Sequence, residues 1–274
     1  MTDVACDALI VGGGPAGSTC AWALRRAGLD VMVLDAAVFP RDKVCAGWIT
    51  PQVVTDLRLD VEEYRRGRTF QPITGFRVGL IEGGPDIHTT YRHQVSFGIR
   101  RCEFDHYLLQ RSGARVKAGT PVKSIEHVTS VRNTGGQWIV NDSIRTPLLI
   151  GAGGHFCPVA RSINGPMSAA SVVVAQEAEF PIESGGGASC AVLGDAPELY
   201  FCRDLKGYGW CFRKGEYLNV GLGRLDRRSL PRATAELSRS SSRKASSRNR
   251  RHRDGAGMRT RCTTRRIGAP SATA

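Results

Sequence analysis

A glycine-rich turn between two apolar segments constrains this chain most. Ala8–Val11 is a short apolar run typical of a buried parallel strand, and Gly12–Gly17 follows at once and fits the pattern G-x-G-x-x-G. The next ten residues, 18–27, are predicted to form a helix, and a second apolar run, Val31–Leu34, ends in Asp35. Strand, glycine turn, helix, strand and terminal acid follow in the order of a dinucleotide-binding βαβ unit, in which the acid binds ribose hydroxyls.

Five of the six residues of the turn have a predicted task. Gly12 permits the tight turn, Gly14 lets the backbone approach a pyrophosphate, and Gly17 lets the helix pack close to the strand. Pro15 and Ala16 lie directly before the predicted helix, whose free N–H groups and partial positive charge favour phosphates. These five residues are therefore predicted to bind a dinucleotide, and the motif alone leaves both FAD and NAD open.

The chain is long enough for one large domain or two modest ones, and its charge is unevenly distributed. It has 274 residues and a formal net charge of +13. Residues 226–274 hold 14 Lys and Arg against 3 Asp and Glu, whereas the first 225 residues are nearly neutral. The basic character therefore belongs to the tail and does not indicate a nucleic-acid-binding body.

Cysteine usage and the first residues of the chain favour a reducing compartment. The nine cysteines are scattered, odd in number and never spaced C-x-x-C, which argues against a disulfide framework or a metal site. The opening MTDVACD has no basic region typical of a signal peptide, and no apolar run approaches the length of a spanning helix. We therefore expect a cytoplasmic protein without a resident metal.

The glycine turn and the segment FPRDKVCAGWITP that follows Val38 together resemble the geranylgeranyl reductase family of FAD-dependent oxidoreductases. Flavin-dependent halogenases and aromatic hydroxylases are wider relatives of that family. The resemblance implies an α/β fold, with a three-layer Rossmann-like FAD-binding domain and an inserted mixed β-sheet domain on the substrate side. It further implies that FAD is the cofactor and that Asp35 binds its adenosine ribose.

The resemblance also assigns residues beyond the turn. In the Cys-containing loop it implies that Cys45, Ala46 and Gly47 line the FAD site, and Cys45 becomes a candidate for assisting a proton transfer. The alternative for Cys45 is an ordinary small buried cysteine. Arg101 matches an arginine that contacts FAD at a helix start, although ordinary surface charge is the alternative, and Val122 matches a residue near the adenine.

Two further motifs match the family in part. Gly151–Arg161 resembles its second fingerprint, but Gly153 stands where an acid is usual, so one hydrogen bond to the cofactor is lost. Tyr208 and Trp210 lie in YGWCF, which is similar to the family's Y-x-W-x-F-P motif facing an apolar substrate. A β-hairpin core is the alternative for these two aromatics. The W-x-W-x-I-P motif typical of halogenases is absent from the sequence.

These patterns predict three regions. Residues 1–165 would form the FAD-binding domain, with 56–98 contributing to the substrate-side sheet, and 166–225 would complete that sheet. Residues 226–274 are a basic low-complexity tail, which we expect to be disordered. The tail has no aromatic residue for base stacking, which argues against a nucleic-acid arm.

The family would continue after residue 225 into a G-D-A-A-G-type motif and a helical part. Neither occurs in this sequence. We hypothesise that the tail is an out-of-frame reading of the gene and that the chain is a C-terminally truncated member of the family.

The resemblance implies an enzyme that reduces an isoprenoid-type C=C bond with reduced flavin, supplied by NAD(P)H or another reductant. Its substrate would be small and apolar, and a lipid substrate would bring the chain to a membrane surface. One alternative is a flavin-dependent monooxygenase or halogenase. A second is an inactive FAD-binding protein that lacks the C-terminal cofactor contacts.

Overall fold

The computed structural model describes residues 4–130, 133–165, 173–182 and 190–225. These residues divide into two units, and the chain passes between them more than once. The first unit comprises the residues up to Lys43 and those from Arg101 to 165, and the second comprises Val44–Arg100 and the described residues from 173 onward. The predicted tail, 226–274, lies outside the described residues, and the predicted domain bounds stay predictions.

The elements are, in chain order, β1 (Val4–Ala5), β2 (Ala8–Val11), α1 (Pro15–Arg26), β3 (Val31–Leu34), β4 (Trp48–Ile49), α2 (Pro51–Asp56), α3 (Val61–Tyr64), β5 (Phe70–Ile73), β6 (Gly75–Leu80), β7 (Ile87–Thr90), β8 (Ser96–Ile99), α4 (Arg101–Arg111), β9 (Arg115–Lys117), β10 (Ile125–Ser130), β11 (Asn133–Val140), β12 (Ile144–Thr146), β13 (Leu148–Gly151), α5 (Pro158–Asn164), β14 (Val174–Pro181), β15 (Glu198–Phe201), β16 (Gly207–Lys214) and β17 (Tyr217–Arg224). A 3-10 turn, Gly154–Phe156, precedes α5.

A parallel sheet with the order β13-β2-β3-β9 is the centre of the first unit. Its two middle strands are completely buried and apolar, as expected for strands that are covered on both faces. Alternate residues point to opposite faces. Ala8, Ile10 and Val33 pack in one core cluster with Leu109 of α4, whereas Leu9 and its neighbours pack in another.

The second of these clusters joins the parallel sheet to another sheet in the same unit. Leu9 and Met32 pack against Val140 and Ile144, which belong to the sheet β1-β12-β11-β10. Helices α1 and α4, which pack against each other, cover the opposite face. The unit therefore has three layers, two of sheet and one of helix, as the resemblance predicted.

The second unit consists mainly of a six-stranded sheet with the order β14-β17-β16-β15-β6-β7, in which only β15 and β6 pair in parallel. A small sheet, β4-β8-β5, and the short helices α2 and α3 belong to the same unit. The mixed β-sheet region expected from the resemblance is thus present.

Local predictions were largely confirmed, with two corrections. The first helix begins at Pro15, three residues earlier than predicted, because proline at the first position needs no hydrogen-bond acceptor. The sequence of 115–125, RVKAGTPVKSI, predicts a longer strand, but β9 ends at Lys117, since Gly119 adopts φ +67° and Pro121 cannot donate to a strand partner. The sequence of 171–180, SVVVAQEAEF, also predicts a strand, which is observed as β14, and residues 171 and 172 lie outside the described part.

Candidate nucleotide-binding site

The glycine turn has the backbone geometry that its sequence predicted. Gly12 has φ +113°, and a Cβ there would overlap the carbonyl oxygen of Ala152. A Cβ on Gly17 would overlap the carbonyl oxygen of Gly12, so the helix approaches the strand end at a distance that only glycine permits. Contacts within the protein therefore require glycine at both positions.

Gly14 differs from both, because the space above it is open. A Cβ on Gly14 would meet only Arg41 Nη2, at 3.6 Å, and the backbone angles of φ −71° and ψ −176° suit any residue. Glycine is therefore not needed here for the fold. Its presence leaves room for a group outside the chain, which is what close approach of a pyrophosphate would require.

The start of α1 offers donors to such a group. Pro15 has no N–H, and the N–H groups of Ala16 and Gly17 have no acceptor among the described residues. The first turn of α1 contains no acidic residue, whereas Arg25 and Arg26 lie in its last turn. The partial positive charge at this helix start is therefore not neutralised by the helix itself.

Asp35 at the end of β3 is bound to the glycine turn. Its Oδ2 accepts a hydrogen bond of 2.7 Å from the Gly13 N–H, and its Oδ1 accepts one of 2.8 Å from the Ala37 N–H. Each carboxylate oxygen has a further lone pair, so Asp35 can still accept hydrogen bonds from ribose hydroxyls. The Thr120 N–H donates to the Asp35 carbonyl, which places the segment containing Val122 beside this strand end. Val122 is partly buried and packs against two core clusters of the first unit, one that contains Leu9 and one that contains Val11.

A shared carboxylate brings two arginines together in the same unit. Asp105 is completely buried, and the Arg101 guanidinium donates two hydrogen bonds to it, of 2.8 and 2.9 Å. Arg41 Nη1 lies 3.2 Å from the same carboxylate, and its guanidinium stacks over the Phe39 ring. The Arg41 guanidinium, held by this carboxylate, therefore places a positive charge beside Gly14.

This cluster changes the interpretation of the two arginines. The sequence predicted Arg101 as the cofactor contact, and in the structure that side chain is engaged with Asp105. Arg41 was missed, although its Nη2 is the nearest atom to the open space at Gly14. The signal was present in the segment FPRDK, where arginine directly follows a turn, but its partner Asp105 is distant in sequence.

The second glycine-rich loop belongs to the same sheet edge. Ala152 N–H donates to the Val11 carbonyl at 2.8 Å, which joins the loop to the end of β2. Gly153 stands at the position of the family's acid, and a Cβ there would lie 3.2 Å from Cys157 Cα. An acidic side chain at 153 would therefore require the neighbouring backbone to shift.

In the second unit, the predicted residues Cys45, Ala46 and Gly47 form a turn before β4, which we call the Cys45 turn. The Cys45 N–H donates to Glu177 Oε1 at 2.7 Å, and the Gly47 carbonyl accepts from the Ile99 N–H at 2.7 Å. Gly47 has φ +68°, which favours glycine. Cys45 is half-buried, and its Sγ lies 3.5 Å from the Gly47 nitrogen, which donates to it.

Tyr208 and Trp210 lie on β16 as predicted, but their surroundings differ. Trp210 is buried, its ring covers Gly221, and its Nε1–H donates to Asn219 Oδ1 at 2.7 Å. Tyr208 is 45% exposed and lies 5.9 Å from the Trp210 ring, centroid to centroid. Trp210 therefore belongs to the core cluster of Ile73, whereas Tyr208 presents a face to its surroundings.

A buried ionic group next to the Cys45 turn was not predicted. Lys214 is fully buried and forms an ion pair with Glu179, which also accepts hydrogen bonds from Arg100 at 3.0 Å and Asn219 at 3.3 Å. The burial of Lys214 could have been predicted from β16, because alternate side chains of a strand point to the same face. Residues 210, 212 and 214 share one face, and the first two are buried aromatics, so Lys214 falls on the buried face.

The two glutamates of β14 have opposite electrostatic environments. Burial raises the pKa of Glu177, and its hydrogen bond from Cys45 and the nearby Lys214 do not offset this. One oxygen, Glu177 Oε2, is buried and has no hydrogen-bond partner among the residues that the structure describes. Burial also acts on Glu179, but Lys214 and Arg100 outweigh it, so the pKa of Glu179 is lowered.

Over the described ranges, no group of three or more His, Cys, Asp or Glu side chains could hold a metal ion. Within those ranges, none of the helices has the length and apolar character needed to cross a membrane. His88 and His93, the two isolated histidines of the second unit, are exposed.

Comparison with known proteins agrees with this geometry. A family model described as an NAD(P)-binding Rossmann-like domain matches residues 10–62. A menaquinone reductase of Mycobacterium tuberculosis is 29% identical over 250 residues, covering 86% of this chain and 58% of the reductase. A geranylgeranyl diphosphate reductase of Rhodobacter capsulatus is 29% identical over 236 residues, covering 79% of this chain and 54% of that protein.

A solved structure shows the same fold. The geranylgeranyl bacteriochlorophyll reductase-like protein of Thermoplasma acidophilum matches with a TM-score of 0.65 and 20% identity, over 86% of this chain and 61% of that one. Flavin-dependent halogenases also match in sequence, over less than half of the chain. The chain thus spans little more than half the length of the curated reductases it matches. It is a homologue of the menaquinone and geranylgeranyl diphosphate reductases and the flavin-dependent halogenases, which confirms the resemblance drawn from its glycine turn and Cys45 segment.

Proposed function

We propose that the first unit binds FAD, with the pyrophosphate at the start of α1. The observation that carries this proposal is the open space above Gly14, where a Cβ would meet only Arg41 Nη2. The N–H groups of Ala16 and Gly17, which have no acceptor among the described residues, and the Arg41 guanidinium lie beside that space. Such donors together with a guanidinium are complementary to a diphosphate.

The other predicted residues have compatible chemistry. Asp35 would accept hydrogen bonds from the adenosine ribose, and Val122 would contribute an apolar contact near the adenine. By the family resemblance, Cys45, Ala46 and Gly47 would contribute to the flavin end of the cofactor site. FAD, when bound, supplies the hydride chemistry, and the chain would bind it, orient it and exclude water.

We propose further that the activity is reduction of an isoprenoid-type C=C bond in a small apolar substrate, with NAD(P)H or another reductant. Support comes from sequence similarity, which extends over most of this chain for the reductases but over less than half of it for the halogenases. The halogenase W-x-W-x-I-P motif is also absent from the sequence. Tyr208 is the substrate contact we favour, because its ring is half exposed, and Trp210 would support it.

The experiment begins with the visible spectrum of the purified full-length chain. Flavin absorbance that remains after gel filtration is expected, and a colourless, folded protein that fails to bind added FAD would refute the proposal. Anaerobic incubation with geranylgeranyl diphosphate and a chemical reductant should then oxidise the reduced flavin and yield a product with added hydrogen. Oxygen-dependent NAD(P)H consumption with an aromatic substrate would favour a monooxygenase instead.

A further inference from the structure

The hairpin between β15 and β16 turns through residues 203–206, which we call the β15–β16 loop. The Cys202 N–H donates to the Gly207 carbonyl at 2.9 Å and closes the loop, and the Leu205 N–H donates to the Cys202 carbonyl at 2.9 Å. The Asp204 carboxylate accepts hydrogen bonds of 2.7 and 3.3 Å from the Arg224 guanidinium at the end of β17. The loop is therefore fixed both at its base and at its turn by the second unit.

Leu205 is an unusual residue for the tip of this loop. Its φ is +55°, in the left-handed region that glycine and asparagine adopt more readily than leucine. Its side chain is 75% exposed, the largest exposed fraction among the large apolar side chains that the structure describes. Leucine at this position therefore strains the backbone and exposes apolar surface to water, although a glycine or an asparagine would form the same turn. Such an outlier indicates a purpose outside the fold.

The surroundings of Leu205 are amphipathic. Leu225 is 54% exposed, and its N–H donates to the Lys206 carbonyl at 2.9 Å, so it lies directly beside the loop. Val173 is 60% exposed and precedes β14, whose first residue pairs with the last residue of β17. Arg203 and Lys206 flank the tip, and both are exposed. Three exposed apolar side chains and two cations therefore share one end of the six-stranded sheet.

The same end of the sheet leads to the substrate contact favoured above. Tyr208 follows the loop by two residues and pairs with Phe201, the last residue of β15. The Tyr208 ring lies 5.8 Å from the Phe201 ring and 5.9 Å from the Trp210 ring, centroid to centroid. These rings lie on one face of the sheet, because paired residues and alternate residues of a strand share a face. An apolar molecule that passes the loop would therefore meet aromatic surface.

We propose that the β15–β16 loop docks the second unit on a lipid bilayer, with Leu205 among the acyl chains and Arg203 and Lys206 at the headgroup phosphates. An apolar tip needs an apolar partner, and cations beside it need an anionic layer, and a bilayer presents the two layers in that order. The small apolar substrate of the proposed function would come from the same bilayer. In that respect the inference rests on the proposed function, whereas the docking surface itself does not depend on bound FAD.

The test is sedimentation of the full chain with phosphatidylcholine vesicles in about 0.5 M NaCl, because salt at this concentration screens the charge of the basic tail. We expect the unmodified protein to bind. L205N should keep or raise the unfolding midpoint, since asparagine tolerates φ +55°. It should weaken vesicle binding by at least about 10-fold, since it removes the transfer of one leucine side chain from water. L193N, at a leucine that is 54% exposed and precedes the start of β15, should match the unmodified protein.

The inference is overturned if the unmodified chain does not bind these vesicles, or if folded L205N binds them equally well. Binding that needs phosphatidylglycerol and is equal in both proteins would assign the interaction to the basic tail, and it would overturn the inference too. If L205N fails to fold, hydrogen exchange of the unmodified protein decides. The amides of residues 203–206 should then exchange more slowly on vesicles, and unchanged exchange refutes the docking surface. A chain that binds no FAD but shows the L205N difference would refute only the proposed function.

Discussion

The two kinds of glycine in the turn predict different consequences for the same substitution. In G14A the new methyl group meets only Arg41 Nη2, at 3.6 Å, and φ −71° suits alanine. The cost to folding is therefore limited to the change of the residue that caps α1, under about 1 kcal/mol. The methyl group occupies the space proposed for the pyrophosphate, so at least one charge-assisted hydrogen bond to FAD is lost. Such a bond contributes roughly 1.5–3 kcal/mol, which corresponds to about 10- to 150-fold weaker FAD binding.

G17A is the matched control, because its methyl group would overlap the Gly12 carbonyl within the protein itself. We expect it to lower the free energy of unfolding by more than about 3 kcal/mol, whether or not FAD is present. Fluorescence titration of the apoprotein with FAD gives the dissociation constants, and denaturant unfolding gives the stabilities. G14A with unweakened FAD binding, or with a stability loss equal to that of G17A, would refute the reasoning.

Three further outcomes are expected. R41M should weaken FAD binding by about 10- to 150-fold with little change in the unfolding midpoint, as measured by the same titration, because it removes one charge-assisted contact. The pKa of Glu177 is raised, so its contribution to stability is present at acid pH and is lost as pH rises through the folded-state pKa. The stability of E177Q relative to the unmodified protein should therefore increase from pH 4 to pH 8. Glu179 has a lowered pKa, so its contribution is lost as pH falls, and E179Q should show the opposite slope in denaturant unfolding across that range. Y208A should raise the KM for an apolar substrate at nearly constant stability, whereas W210A should cost roughly 3–5 kcal/mol because it empties a core position. Equal losses of stability in these two variants would contradict the distinction between pocket wall and core.

Local sequence patterns were sufficient for the first βαβ unit. The apolar runs, the glycines and Asp35 are close together in the chain, and each has a backbone task that few other residues can perform. The same locality explains the early end of β9, where the glycine and proline after Lys117 signalled a turn that the apolar pattern of 115–125 concealed. Strand propensity was outweighed there by turn chemistry.

The missed residues are those whose partners lie far away in sequence. Arg41 acquires its position from Asp105 and Phe39, and Lys214 acquires its burial from Glu179, Ala46 and Ile99. The residues that neighbour Arg41 and Lys214 in the sequence do not identify these partners. Alternation along β16 could identify the face on which Lys214 lies, but the identity of the compensating carboxylate requires the register between β14 and β17.

The parallel sheet of the first unit imposes an order on biosynthesis. Strand β2 can pair with β3 as soon as both have left the ribosome. Its other edge pairs with β13, so the pairing of Leu9 with Leu149 forms only after β13 has been synthesised. The whole of Val44–Arg100, which belongs to the other unit, is made in between. Contacts of such long sequence separation form slowly. A nascent chain shorter than about 150 residues therefore carries an open apolar strand edge, which is the place where a holding chaperone would be needed most.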